Sequence, residues 1–324
     1  MYQAQLQQLF AEVFHAPTES QRQRANEEAL VVLQDALNQE NSFRWQWDFG
    51  SLVSVLTSPD KRFRIFTWPL ANDAFEYECF GVMQVLNDKT DHYDIHLLHD
   101  RSQQIVNRQE ETLSPDNWYG AVYQNIVTTT YNGKTYYTLL GWTVIDMLSQ
   151  RKVIEPLTFK GSSCQPQFGQ NLFRGNRNIR RIVLEYSSNA MVNLRYEEQY
   201  VRTIERVRAK RSVKNNRRAR KSLKKAERTS AAQRERVVSG PTVKTTDTKL
   251  MMIIYDAVGP QVMGMEGLFQ YYVPTGEELA LEFVDGKWIS RNGAQGRVKN
   301  KKLNQDFDKP HVKEAPAYMM NKEK

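Results

Sequence analysis

Three polar side chains spaced two apart, His92, Asp94 and His96, are the first group in this chain that could do chemistry. Alternate residues of a β-strand point to one side, so this run would set two imidazoles and a carboxylate on one face. Two histidines and a carboxylate make a donor set for zinc or non-haem iron. A fourth ligand would come from elsewhere, Glu76 or Glu78 across a hairpin. The competing reading is a solvated polar face. Tyr93, Ile95 and Leu97 alternate with the three, and such alternation places polar residues between apolar ones without any metal.

A second group is electrostatic. Residues 202–236 hold fifteen Lys or Arg against three Glu, a net of +12. Its densest part contains Arg208, Lys210, Arg211, Lys214, Arg217, Arg218, Arg220, Lys221, Lys224 and Lys225. Charge at this density attracts phosphates, anionic lipid headgroups or acidic polysaccharide alike. The segment has no aromatic residue on which a base could stack, so nucleic acid would be bound without sequence preference. Val207, Val213 and Leu223 are too few for a membrane-inserting face. The plainer alternative is a solvated, partly helical excursion with no dedicated partner.

Conventional catalytic patterns are missing. The chain has no GxSxG, HExxH, Walker loop or Rossmann glycine run. Gly161-Ser162-Ser163-Cys164 resembles a nucleophile turn, but no histidine lies near it in sequence, and a polar hairpin loop accounts for it. The sequence therefore assigns no catalytic residue and no cofactor, and leans away from an enzyme. Trp45, Trp47, Trp118 and Trp142 could line a sugar cleft, although core packing is the commoner fate of such residues. Two cysteines do not make a disulfide framework. Cys79 falls in a strand pattern and is expected buried; Cys164 falls in a turn and is expected exposed.

These residues must be positioned by ordinary globular elements. The chain has 324 residues, 40% hydrophobic and 25% charged, enough for one or two domains. Aromatics at 11% favour strands. The net charge of +8 is uneven: residues 287–324 add +6 to the +12 above, which leaves about −10 elsewhere. Arguments for a polyanion partner thus apply to two segments and not to the body. No apolar run reaches the ~20 residues of a membrane helix, and the Gln-rich first residues do not read as a signal peptide.

Leu6, Leu9, Phe10, Val13 and Phe14 form a helical stripe that Pro17 ends. Thr18 and Gln21 read as a capping box opening a second helix to about Asn38, with Ala29, Leu30, Leu33, Ala36 and Leu37 apolar. Strands are expected at 51–56, 62–68, 75–86, 93–97, 126–131, 134–142, 152–159, 181–187, 190–196, 250–255 and 279–284. Asn132-Gly133 is a type I′ hairpin turn, and Ser114-Pro115 opens a short helix through Trp118 and Tyr119. The expected fold is mainly β: an antiparallel meander, a sandwich or an irregular propeller-like sheet, with an N-terminal helical hairpin. The divisions are a helical hairpin over 1–42, an antiparallel β domain over 43–290, a polybasic insertion over 202–247 at a hairpin tip, and a loosely ordered basic tail over 291–324.

Five runs carry a resemblance: Leu56 to Phe66 (LTSPDKRFRIF), Leu113 to Tyr119 (LSPDNWY), Tyr136 to Trp142 (YYTLLGW), Arg181 to Ser187 (RIVLEYS) and Gly286 to Trp288 (GKW). Together they resemble a family of uncharacterised exported proteins of Bacteroidota, across most of residues 1–290. The resemblance implies a leader peptide and a periplasmic or surface location, and supplies no activity and no catalytic residues. Its members have a short hairpin where this chain has the basic insertion. The function expected is a non-enzymatic binding or scaffold protein of the cell envelope, the alternatives being polyanion contact through 202–236 and a metal-dependent enzyme on the His92 face.

Overall fold

The computed structural model describes residues 2–207 and 242–291. The expectations placed on 208–241, including all ten lysines and arginines singled out for polyanion contact, and those on 292–324 lie outside the described residues. Two compact units divide the chain, one of residues 1–197 and 251–293 and the other of 198–250 and 294–324.

In the first unit, α1 (Tyr2–His15) and α2 (Glu19–Leu37) form the expected helical hairpin. Thr18 caps α2: its hydroxyl oxygen accepts from the Gln21 amide at 3.3 Å, and its O–H reaches the Gln21 side-chain oxygen at 2.9 Å. That satisfies one of the N–H groups every helix start leaves open. Leu6, Leu9, Phe10 and Val13 of α1 and Ala29, Leu33 and Leu37 of α2 are buried, as the stripes require.

Three antiparallel sheets follow in chain order. The first runs β1 (Ser54–Thr57), β2 (Phe63–Ala71), β3 (Tyr77–Asn87) and β4 (His92–His99), each paired with the next. The second runs β5 (Val122–Tyr131), β6 (Lys134–Val144), β7 (Ser149–Lys160) and β8 (Gln165–Phe168), with β9 (Ile182–Ser187) also on β7. The third is ordered β10 (Leu194–Val207), β11 (Thr242–Pro260), β12 (Tyr272–Val284) and β13 (Lys287–Arg291). The first is a meander, in which short turns leave antiparallel neighbours side by side.

Alternation along these strands builds a stack. Phe66, Trp68 and Val82 face the helices, while Phe63, Ile65, Met83 and Val85 face the second sheet. Leu139 and Val153 meet them there, and Leu140 and Ile154 point the other way, to Ile253, Leu281 and Trp288 of the third sheet. Sheets buried on both faces need apolar residues on both sides of a strand, which is why Phe63 and Ile65 of β2 face one way and Phe66 and Trp68 the other.

Several expectations change. The helix opened at Ser114 is a single 3-10 turn, Pro115–Asn117, because Trp118 and Tyr119 are extended toward the core and fully buried. The strand expected from Phe75 begins at Tyr77; Phe75 sits in the turn at φ 60°. The sheet does not stop at the proposed insertion boundary: β10 continues to Val207 and β11 begins at Thr242, where the sequence is β-branched. In the second unit, Lys249 pairs with Glu198 at 2.7 Å and lies 5.1 Å from the Tyr200 ring.

Candidate functional site

The His92, Asp94 and His96 run lies on β4, opposite Asn87, Val85 and Met83 in register. Glu76 and Glu78 are not across from it; Glu78 pairs with Leu70 on β2. Residues directly opposite in an antiparallel pair share a face. Met83 and Val85 belong to the core between the first and second sheets, so this face is buried toward His96 and solvated toward His92. Ile95 and Leu97 on the other face pack toward the helices. His92 remains exposed, while Asp94 and His96 are half-buried. The Asp94 carboxylate accepts from the Asn87 amide at 2.8 Å. Among the described residues, no set of three or more His, Cys, Asp or Glu is grouped to hold a metal ion.

His96 Nε2 is buried and has no hydrogen-bond partner. Burial pushes its pKa below the usual histidine value, against the opposing pull of Asp94 and Asp116. An unfolded histidine near 6.5 then binds protons more readily than the folded one. Stability tied to His96 is complete above that unfolded value and is lost as pH falls through it. His96→Gln, neutral throughout, is expected to flatten the fall in melting temperature between about pH 7.5 and about pH 5.5. Identical pH profiles for the two proteins would refute the assignment.

One polar recess of the first unit is an acidic cleft of about 320 Å³. The start of α2 gives it Glu19 and Gln23, the β2–β3 connection gives Asn72, Glu76 and Glu78, and the chain after β4 gives Asp100 and Arg101. A smaller recess of about 110 Å³ shares Glu78, Asp100 and Arg101. Burial raises the Asp100 carboxyl above its ordinary value, opposed by the backbone N–H groups of Cys79 and Ser102, which donate to it at 2.9 and 2.8 Å. Glu78 is raised too, first by desolvation and then by the neighbouring Asp100. Paired carboxylates with raised pKa values are a pattern associated with acid–base sites.

Here most of them hold the chain. Glu19 accepts from the Asp73 amide at 2.8 Å and from Gln23 at 2.9 Å, and Glu76 accepts from Asn72 at 2.9 Å. Asp100 presses on the backbone of Gly120, at φ 73°, where an added Cβ would lie 2.1 Å from the carboxylate. Only glycine fits that left-handed position and that approach. The cleft favours cations, but its best-positioned carboxylate is a clamp between β3, the 100–104 loop and the β5 approach.

Two further networks carry charge. Glu155 on β7 and Arg181 before β9, both wholly buried, pair at 2.5 Å. Arg181 also donates to the carbonyls of Arg108 at 2.6 Å and Phe168 at 3.4 Å, with its guanidinium 5.6 Å from the Tyr119 ring centre. Tyr123 donates to the second oxygen of Glu155, and Trp118 Nε1 donates to Tyr123 at 2.9 Å. Burial, then the Glu155 charge, pushes the Tyr123 pKa far up, so it stays a neutral donor. Beside this, Glu185 accepts from Arg151 at 2.8 Å and Arg108 at 3.1 Å. Sequence patterns missed these groups; their signal was a charged residue inside a run otherwise apolar on both sides, as in Ile154-Glu155-Pro156-Leu157.

The Gly161–Cys164 turn joins β7 to β8. Cys164 is buried, contrary to expectation, because φ 52° turns its side chain inward. Its sulfur accepts from Arg62 at 2.8 Å and contacts Asp88 at 3.3 Å. Cys79 is buried as expected, near the Thr143 hydroxyl at 3.3 Å, and both thiols are free. Of the four tryptophans, Trp118 is wholly buried, Trp142 packs on the same core, and Trp47 packs with Phe49 and Phe66.

By class, then, the chain is a stacked, three-sheet antiparallel β protein with a helical hairpin, whose strongest ionisable constellations are spent on architecture. No family model, curated protein or solved structure matches it. Among the described residues no helix is long and apolar enough to cross a membrane.

Proposed function

We propose that the chain is a non-enzymatic scaffold of the cell envelope that contacts polyanions through its basic segment, 202–236. The observation that carries the reading is the commitment of its chemistry-bearing groups: Glu155, Arg181, Glu185, Arg151, Asp100 and Cys164 are each bound to neighbouring protein groups. A group so bound is poorly placed to meet a substrate. The envelope location is supported by the resemblance of the five sequence runs. Polyanion contact is supported by the net +12 of 202–236 and by its place between β10 and β11, which are neighbours in one sheet.

The full chain is expected to bind heparin and DNA with affinity that falls steeply with salt, each neutralised phosphate of duplex DNA adding about −0.9 to the log–log slope. Replacing residues 208–241 by an Asn-Gly turn is expected to abolish both. Binding retained by that variant, or binding insensitive to salt, would overturn the reading.

A further inference from the structure

Most of the large apolar side chains that stay exposed among the described residues gather at one end of the first unit. The β6–β7 turn holds out Met147 and Leu148, 64% and 60% exposed. The connection from β9 to β10 holds out Met191, 86% exposed, and the β11–β12 connection holds out Met263, 93% exposed, with Leu268 and Tyr271. Hydrogen bonds draw these connections together. The Ser188 hydroxyl donates to the Met147 carbonyl at 2.5 Å, the Ser188 amide to the Leu148 carbonyl at 2.9 Å, and the Gln150 side chain to the Ala190 carbonyl at 3.2 Å. The Asp256 amide donates to the Asn193 carbonyl at 3.2 Å, and the Asn193 amide to the Asp256 carboxylate at 2.8 Å, which ties the approach to β10 to the end of β11. The 3-10 turn Phe269–Tyr271 packs on β9. The β2–β3 connection, with Phe75 exposed, joins the same end through the Tyr77 amide, which donates to the Ile145 carbonyl at 3.1 Å. Gly286 of the β12–β13 turn marks the opposite end: an added Cβ there would lie 3.1 Å from Tyr131 of the β5–β6 hairpin.

Single exposed apolar residues are ordinary, whereas a gathered set marks a contact surface. Methionine suits an adaptable one, because its unbranched thioether follows a partner's shape. Charge selects the partner. The four connections contain Asp73, Glu76, Asp146 and Glu266 and no Lys or Arg. Arg22 neutralises Asp73 at 2.7 Å. Glu76 and Asp146 accept from neutral groups, the Asn72 amide and the Leu148 and Ser149 amides, and keep their charge. Two further guanidiniums nearby have carboxylates of their own: Arg195 pairs with Glu197 at 2.8 Å and Glu278 at 2.6 Å, and Arg101 lies in the acidic cleft with Glu78 and Asp100. The end is therefore apolar with an anionic rim. A second copy would set carboxylate against carboxylate, and an anionic bilayer would be repelled. A zwitterionic bilayer would match the apolar tips and leave the rim without a counter-charge. An amphipathic helix with cations flanking its apolar face matches both.

We propose that this end of the first unit docks a basic amphipathic helix of another protein. The apolar face of that helix lies on the three methionines, Leu148 and Leu268, and its lysines or arginines meet Glu76, Asp146 and Glu266. The surface acts independently of the basic segment, whose charge attracts anions.

The test offers the full chain a helical peptide of about 15 leucines and lysines, its leucines along one face. A counterpart with glutamate in place of lysine and phosphatidylcholine vesicles are offered separately. Fluorescence anisotropy reads the peptides, and co-sedimentation reads the vesicles. Saturable binding of the lysine peptide is expected, with the glutamate peptide at least about tenfold weaker. Met191→Ser combined with Met263→Ser, at positions too exposed to disturb the core, is expected to weaken the lysine peptide about tenfold, and Glu266→Lys to weaken it several-fold. Removing residues 208–241 is expected not to weaken it, which separates this surface from the basic segment. Equal affinity of the double methionine variant and the unaltered chain would overturn the proposal. So would equal binding of the two peptides, or loss of binding on removing 208–241. Vesicles that sediment the chain while the lysine peptide fails to bind would assign the tips to lipid and overturn it as well.

Discussion

Replacing Arg181 by methionine is expected to remove about 3–5 kcal/mol of folding stability, the cost of leaving a buried partner charge alone. The reason lies in what remains. Glu155 is wholly buried on β7, and Arg181 is its cationic partner at 2.5 Å. Without it the carboxylate keeps the Tyr123 hydroxyl, and the Arg108 carbonyl loses the guanidinium donor, while the Phe168 carbonyl keeps the Leu113 amide at 2.8 Å. The same substitution frees space beside Gly169, where an added Cβ would lie 2.6 Å from the Arg181 guanidinium. A second change separates charge from packing. Adding Glu155→Leu to Arg181→Met removes the orphaned carboxylate, so the double variant is expected to be more stable than the single one, although Tyr123 then lacks its acceptor. Urea unfolding with matched m-values reads both effects. A single-variant loss below about 1 kcal/mol, the scale of an ordinary substitution, would mean that the pair is dispensable.

How much of this was legible in the sequence varies with the range of the interaction. Local chemistry was readable: the Thr18 cap needs only residues three apart, and the Asn132-Gly133 turn needs only two residues able to take positive φ, here 49° and 74°. Alternation located the sheets as well. It misassigned the face of His92, Asp94 and His96, because period two says which residues share a side and not what covers that side. The stretch around Asp116, beyond the end of β4, reaches the His96 end of the face, while His92 stays exposed. Cys164 fails as an exposed residue for the same reason: its neighbours Arg62 and Asp88 are 102 and 76 positions away. The acidic cleft was not foreseen, since its walls come from α2, the β2–β3 connection and the chain after β4. β10 was ended too early, at Tyr196, and β11 begun too late, at Leu250, because charge was taken as the boundary, whereas β-branched residues carry the strands further on both sides.

Trp288→Ala is the second change expected to act strongly, with a loss of about 3–5 kcal/mol, the range for truncating a buried aromatic. Trp288 is 1% exposed and lies at the meeting of the second and third sheets, with Leu140, Ile154, Ile253 and Leu281 in the same cluster. The Phe283 ring stands 5.1 Å away at 66°, an edge-on arrangement that favours aromatic pairs. Its backbone also joins the sheet to an irregular stretch: Arg174 donates to its carbonyl at 2.9 Å, and its own amide donates to Leu172 at 2.6 Å. Those backbone bonds survive substitution, so the loss reports the indole itself. Trp288→Phe divides that loss further. Phenylalanine keeps most of the apolar volume but cannot supply the indole N–H that reaches the Thr138 hydroxyl at 3.0 Å. Thr138 is 1% exposed, so its oxygen would be left without that donor in the core, at about 1–3 kcal/mol. The expected order of melting temperatures is therefore native chain, then Trp288→Phe, then Trp288→Ala. If the alanine variant melts with the native chain, the third sheet is held to the second by other contacts, and the shared cluster is not its anchor.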